Sequence, residues 1–248
     1  MLTRAYTIFV VVFILSACTK QSVTAPSTLQ ATNSSDISII DSTDQPGLYY
    51  DSVHGLYKLV LQPGEEGQDA LIQWKADDPN NANANAGSLD ELDAFDWTVY
   101  SQEVKGRSLI KFTGLNQIPQ NAKILSAELF LFGVGSSIPT PQGNSGGNRM
   151  HIVAVTSPWD ESTVTWNTQP TYTTRGAVTT PTSDGKWYSN TSADVTDLVK
   201  PMIRSAQNNN GFLMVLYYET AHRSIIFASS ENSNEQSRPK IVVVYKPN

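Results

Sequence analysis

Ile124-Leu125-Ser126-Ala127-Glu128-Leu129-Phe130-Leu131-Phe132 is apolar on both sides except at Ser126 and Glu128. Such a run reads as a long strand with both faces engaged. Shorter runs on either side carry the same signal. Ala70, Ile72 and Trp74 alternate with Asp69, Leu71 and Gln73, and in 107–112 Ser108, Ile110 and Phe112 alternate with Arg107, Leu109 and Lys111. Segments 150–155, 212–218, 224–228 and 241–245 follow, separated by loops rich in Gly, Asn and Pro. This spacing predicts an all-β chain folded as an antiparallel β-sandwich.

One segment breaks the pattern. Asp194 is placed to cap a short helix that carries Val195, Leu198 and Val199 on one face, with Pro201 disturbing it. Residues 49–61 read as a hairpin or lead-in strand, and Pro63-Gly64 as a turn. Two loops look long. Residues 77–101 hold Asp90, Glu91, Asp93, Asp96, Trp97 and Tyr100, and residues 133–148 are rich in Gly, Ser, Pro and Asn. Loops of that length in a compact domain usually have a function or lack order.

The N-terminus carries an address. Arg4 precedes the apolar core of 8–15, which is too short to span a bilayer comfortably. Leu15-Ser16-Ala17-Cys18 then resembles a bacterial lipobox, which implies cleavage before Cys18 and acylation of that residue. Residues 1–17 are thus expected to be a lipoprotein signal peptide, 18–45 a flexible polar tether and 46–248 the β domain. The resemblance implies an outer-membrane lipoprotein, with periplasmic and surface orientations both open. Cys18 is the only cysteine, so its acylation would exclude disulfides, thiolate metal sites and cysteine nucleophiles. A net charge of −6 argues against nucleic acid as a partner.

Trp159-Asp160-Glu161-Ser162-Thr163-Val164-Thr165-Trp166-Asn167-Thr168-Gln169-Pro170 is the most recognisable block. Around it stand Gly67-Gln68-Asp69-Ala70, Gly106 with the strand at 107–112, Asp194-Val195-Thr196, Asn210-Gly211-Phe212 and Ser229-Ser230-Glu231. In this order, over 58–246, they resemble the DNRLRE domain family. The resemblance implies a jelly-roll sandwich with one short helix. Related modules accompany polysaccharide-degrading enzymes, and a related carbohydrate-binding family includes alginate binders.

No catalytic set is visible. His54, His151 and His222 show no ligand spacing, and no nucleophile elbow, zinc-protease helix or phosphate loop occurs. Asp160 and Glu161 are adjacent, so on an extended segment they point apart. The expected function is non-catalytic binding of polysaccharide, with an acidic, uronate-type glycan favoured by cations. The alternatives are an adhesive surface module for protein partners and, behind it, a lyase or hydrolase. Arg107 and Lys111 share one strand face, Arg149 and His151 share another, and Glu128 falls on a third strand. If those strands are neighbours, they form a charged outer face able to hold a uronate chain, or an ordinary solvated face laced by ion pairs. Trp97 and Tyr100 are candidate stacking platforms, whereas Trp159 and Trp166 read as packing residues. No cofactor is required. A structural calcium ion is an option, with Asp69, Asp77 and Asp78 as the candidate ligands.

Overall fold

The computed structural model describes residues 31–33, 41–64, 67–134, 147–183 and 190–248. Cys18, Ile37, Ile40, Trp187 and Tyr188 lie outside them. The strands are β1 (Ala31–Asn33), β2 (Gly47–Asp51), β3 (Leu56–Leu61), β4 (Gln68–Lys75), β5 (Glu91–Val99), β6 (Gln102–Lys111) and β7 (Lys123–Leu131). After them come β8 (Met150–Val155), β9 (Tyr172–Thr179), β10 (Thr191–Asp194), the helix α1 (Thr196–Arg204), β11 (Phe212–Leu216), β12 (Arg223–Ala228) and β13 (Lys240–Lys246).

They form two sheets. The first runs β1-β2-β3-β13-β7-β10, and the second runs β12-β5-β6-β11-β8-β9 with β4 paired to β6. Every described pairing is antiparallel except β1 with β2. The expected antiparallel sandwich is therefore the observed fold. Its core lies between the sheets, where Leu59, Leu129, Ile241 and Val243 of the first meet Ile110, Met150, Ile152, Phe212 and Met214 of the second. Helix α1 adds Leu198, Val199, Met202 and Ile203 to that core. Its start differs from expectation. Val195, not Asp194, occupies the cap position, and Asp194 closes β10 while its Oδ1 accepts the Thr196 N–H at 2.9 Å. The hydroxyl of Thr196 accepts the Ala127 N–H at 2.8 Å and ties the helix to β7.

Residues 77–101 are not a single loop. Glu91–Val99 is strand β5, and Leu92 and Ala94 are buried in the core. Its alternation is masked in the sequence because Glu91 and Asp93 flank Leu92 and an acid, Asp96, follows Leu92 and Ala94 on the same face; Glu91 and Asp96 are themselves buried. Tyr100 and Ser101, with φ of 51° and 63°, form the two-residue turn into β6. Positive φ at both central residues matches the twist of a tight hairpin. Strand β9 also escaped the apolar pattern, since most of it is exposed or half-buried.

Strand β6 organises the second sheet. Along one side it pairs with β4, and along the other with β5 through 102–106 and with β11 through 108–110. On its outer face Leu109 aligns with Ala70, Leu213 and Val153 in one cross-strand row. That row is covered by Trp159, Val164 and Trp166, which makes a second apolar cluster outside the main core. Residues 42–44, polar enough to read as tether, are held on the sandwich. Lys240 donates to the carbonyls of Ser42 (2.6 Å) and Asp44 (2.7 Å), and Lys58 pairs with Asp44 at 2.8 Å.

Candidate functional site

The turn at 217–222, between β11 and β12, gathers most of the cations singled out from the sequence. Its backbone is fixed to β8 by the Tyr217 N–H, which donates to the Arg149 carbonyl at 2.9 Å. The guanidinium of Arg149 then lies 4.4 Å from the centre of the Tyr217 ring. The His151 ring packs on the same tyrosine at 4.7 Å, and Tyr218 meets it edge-on at 4.6 Å. Stacking of a planar cation on an aromatic face is favourable and leaves the guanidinium edge open to a ligand. Arg149 is exposed, and among the described residues no carboxylate pairs with it.

These groups border a concavity of about 210 Å³ whose walls include Arg149, Arg223, Tyr217, Tyr218, Asn148 and Thr182. Arg223 is braced from two sides. Its Nε donates to the Thr220 hydroxyl and one terminal nitrogen donates to Asn148 Oδ1, both at 2.9 Å. Tyr218 is 58 % exposed at the rim. Two arginines, two phenol rings, an amide and a hydroxyl line this space. Tyr217, Tyr218 and Arg223 were not singled out from the sequence. The strand reading ran through Tyr218, so the turn after Leu216 was hidden. A Tyr-Tyr pair beside a turn was the available signal.

The other sequence-selected residues fall as follows. Arg107 lies on the outer face of β6, but it is engaged. Glu219 accepts two hydrogen bonds from it, at 2.8 and 2.9 Å, and Gln169 accepts a third at 3.1 Å. Trp166 stacks on its guanidinium at 4.8 Å. Burial opposes its charge, but the Glu219 hydrogen bonds and charge outweigh this and hold its pKa above the ordinary value. Arg107 therefore anchors the turn through Glu219. Lys111 shares its face but lies beyond the covered Leu109 row. Glu128 belongs to the other sheet, where it pairs with Val242 and Asp194, so it takes no part in this face. Trp97 is on β5, half-buried, with its ring 5.0 Å from His222 of the same 217–222 turn. Tyr100 stands at the hairpin tip, 92 % exposed.

Trp159 and Trp166 are packing residues, as expected. The indole N–H of Trp159 donates to the Asn210 carbonyl at 2.8 Å, and both rings cover the outer cluster. Asp160 shapes its own turn. It accepts the backbone and hydroxyl hydrogens of Ser162, which hold its pKa below the ordinary carboxylate value.

The expected calcium ligands are not brought together. Asp77 pairs with Lys75 at 2.9 Å, and Asp78 accepts the Asn80 N–H at 3.0 Å. Asp69 instead meets Glu161 and Glu231, with candidate ligand atoms of the three within 4.8 Å of one another. Nearness in sequence groups Asp69 with Asp77 and Asp78, whereas the acids that meet come from three distant segments.

The model of carbohydrate-binding module family 96 matches residues 68–245. The chain belongs to that family. No curated protein matches the chain. The matched span of the module runs from β4 to β13 and includes the 217–222 turn, Arg149 and the segment that covers the outer cluster. Strands β2 and β3 precede it, yet complete the first sheet beside β13.

Proposed function

We propose that this carbohydrate-binding module holds an acidic, uronate-type polysaccharide in the concavity beside Tyr217. The supporting observation is Arg149, an exposed cation stacked on an aromatic ring with no carboxylate partner among the described residues. A sugar ring can lie on Tyr218 while its carboxylate takes the guanidinium edge of Arg149, with Arg223 and Asn148 behind it. Charge-assisted pairing of that kind discriminates uronates from neutral sugars. The role proposed is retention without cleavage, in keeping with membership of a carbohydrate-binding module family. Cys18 as a lipid anchor would place the module at the outer membrane, where holding a polymer at the cell is a function in itself.

The test is affinity electrophoresis of the protein through a polyuronate and through a neutral polysaccharide. Retardation by the polyuronate alone is expected. It should weaken as salt rises and fall at least about tenfold in Arg149→Ala, a change worth about 1.4 kcal/mol. Equal mobility with and without polyuronate, for protein shown to be folded, would refute the acidic reading. The anchor is tested separately by the mass of the membrane-extracted protein and by its release in Cys18→Ser.

A further inference from the structure

Strand β9 leaves its partner in mid-course. Ile152 pairs with Val178 and Ala154 with Thr173, so residues 174–177 of β9 stand opposite Val153 alone. Such bulges re-aim side chains and recur beside functional sites. Within this arch Gly176 has φ of +76°, and a Cβ there would meet only Leu198 Cδ2, at 3.6 Å. The left-handed backbone, not crowding, calls for glycine at that point. The arch and helix α1 form the two sides of a cleft of about 560 Å³. Val155, Leu198 and Met202 give it apolar walls, and Arg175, Asn208 and Asn210 give it a polar rim. Apolar walls with a few placed polar groups are the make-up of a small-ligand site. Arg175 is exposed, and among the described residues no carboxylate pairs with it. Asp197, an acid of the same lining, is already paired with Lys200 at 2.8 Å.

We propose that this cleft is a second saccharide site, which holds another uronate residue of the polymer bound beside Tyr217; it rests on the acidic-glycan reading of that concavity. Arg175 pairs with a sugar carboxylate, as Arg149 does in the first site. The amides of Asn208 and Asn210 take ring hydroxyls. Their present bonds are long, from Asn208 Nδ2 to the Pro201 carbonyl at 3.4 Å and from Asn210 Nδ2 to the Gln207 carbonyl at 3.5 Å. Bonds of that length are weak, so a ligand hydroxyl replaces them at little cost. The apolar walls meet the C–H face of the sugar. The two sites stand at opposite ends of β8, since Arg149 precedes its first residue and Val155 is its last. Six residues of strand span about 20 Å, within the reach of one polymer chain. Filling both sites makes the second contact intramolecular, which raises retention by about 10²–10⁴-fold over either site alone.

The experiment dialyses the full chain to equilibrium against a short uronate oligosaccharide and follows its retardation by polyuronate in affinity electrophoresis. Two oligosaccharides per chain are expected. Arg175→Ala should keep its far-UV spectrum, leave one bound oligosaccharide and cut polyuronate retention at least about tenfold. Asn208→Trp, which fills the cleft from an exposed position, should do the same. Arg149→Ala should also leave one. A single oligosaccharide per chain, lost in Arg149→Ala and kept in Arg175→Ala, would overturn the second site and leave the Tyr217 site standing. The converse pattern would keep the cleft and overturn the Tyr217 site. Two oligosaccharides still bound to folded Arg175→Ala would overturn the cleft, and no binding at all would overturn both.

Discussion

Replacing Glu219 by Gln removes the charge that fastens the 217–222 turn to β6. The pair has side-chain exposures of 16 % for Arg107 and 24 % for Glu219, and two hydrogen bonds of 2.8 and 2.9 Å. Hydrogen bonds to charged groups contribute roughly 1.5–3 kcal/mol. Severing a fully buried pair costs roughly 3–5 kcal/mol, whereas an exposed pair is worth about 0.2–1 kcal/mol. Partial exposure places this one between them, at about 2 kcal/mol. For a chain of this size that lowers Tm by about 4–8 °C. The cleaner measure is a double-mutant cycle in urea with Glu219→Gln, Arg107→Met and both. Arg107→Met also loses the Trp166 stacking and the Gln169 contact, but the cycle cancels those terms. A coupling of about 1.5–2 kcal/mol is expected. A coupling under about 0.5 kcal/mol would mean that the bidentate geometry is ornamental and that packing alone holds the turn.

Two further outcomes follow from other sites. Asp93 is pushed up to about 7 by burial and by Glu91, against an ordinary value of 3.8. Between those values the native state keeps a proton that the unfolded chain has released, so stability falls as pH rises from about 4 to about 7 and is flat in this term above that. Asp93→Asn should remove this slope and gain Tm over the unsubstituted protein at pH 8 but not at pH 4; an equal difference at both pH values would contradict the assignment. Gly211 has φ of +77°, and a Cβ there would stand 2.2 Å from the Ile110 carbonyl. Gly211→Ala should cost more than about 2 kcal/mol in chemical unfolding by forcing β6 and β11 apart, and a loss below about 0.5 kcal/mol would count against that reasoning.

Alternation alone carried most of the sandwich. Ile110 and Phe112 face the core between the sheets, whereas Ala70 and Ile72 share the outer face with Leu109 under Trp159 and Trp166. β5 was lost because Asp93 and Asp96 looked like loop residues, and its strand partner β12 lies far along the chain. The site was half legible. Strand parity paired Arg107 with Lys111 and Arg149 with His151, but it could not reveal that Glu128 lies in the other sheet, that Glu219 occupies Arg107 or that Arg149 stacks on Tyr217. Those contacts depend on where the β11–β12 turn lands. Asp69, Glu161 and Glu231 stood in the sequence as three separate motifs, and only the folded chain brings them together.

Strand β13 sits in the middle of the first sheet, between β3 and β7, although its residues come about 180 positions after β3 and about 110 after β7. Both neighbours therefore wait, each with an unsatisfied edge, until residues 240–246 are available to fill the gap. High sequence separation makes that closure slow. A chain that stops before Lys240 already holds every strand of the second sheet, and only the first sheet stays unfinished. A truncation before Lys240 would leave two open strand edges, on β3 and β7, prone to aggregation.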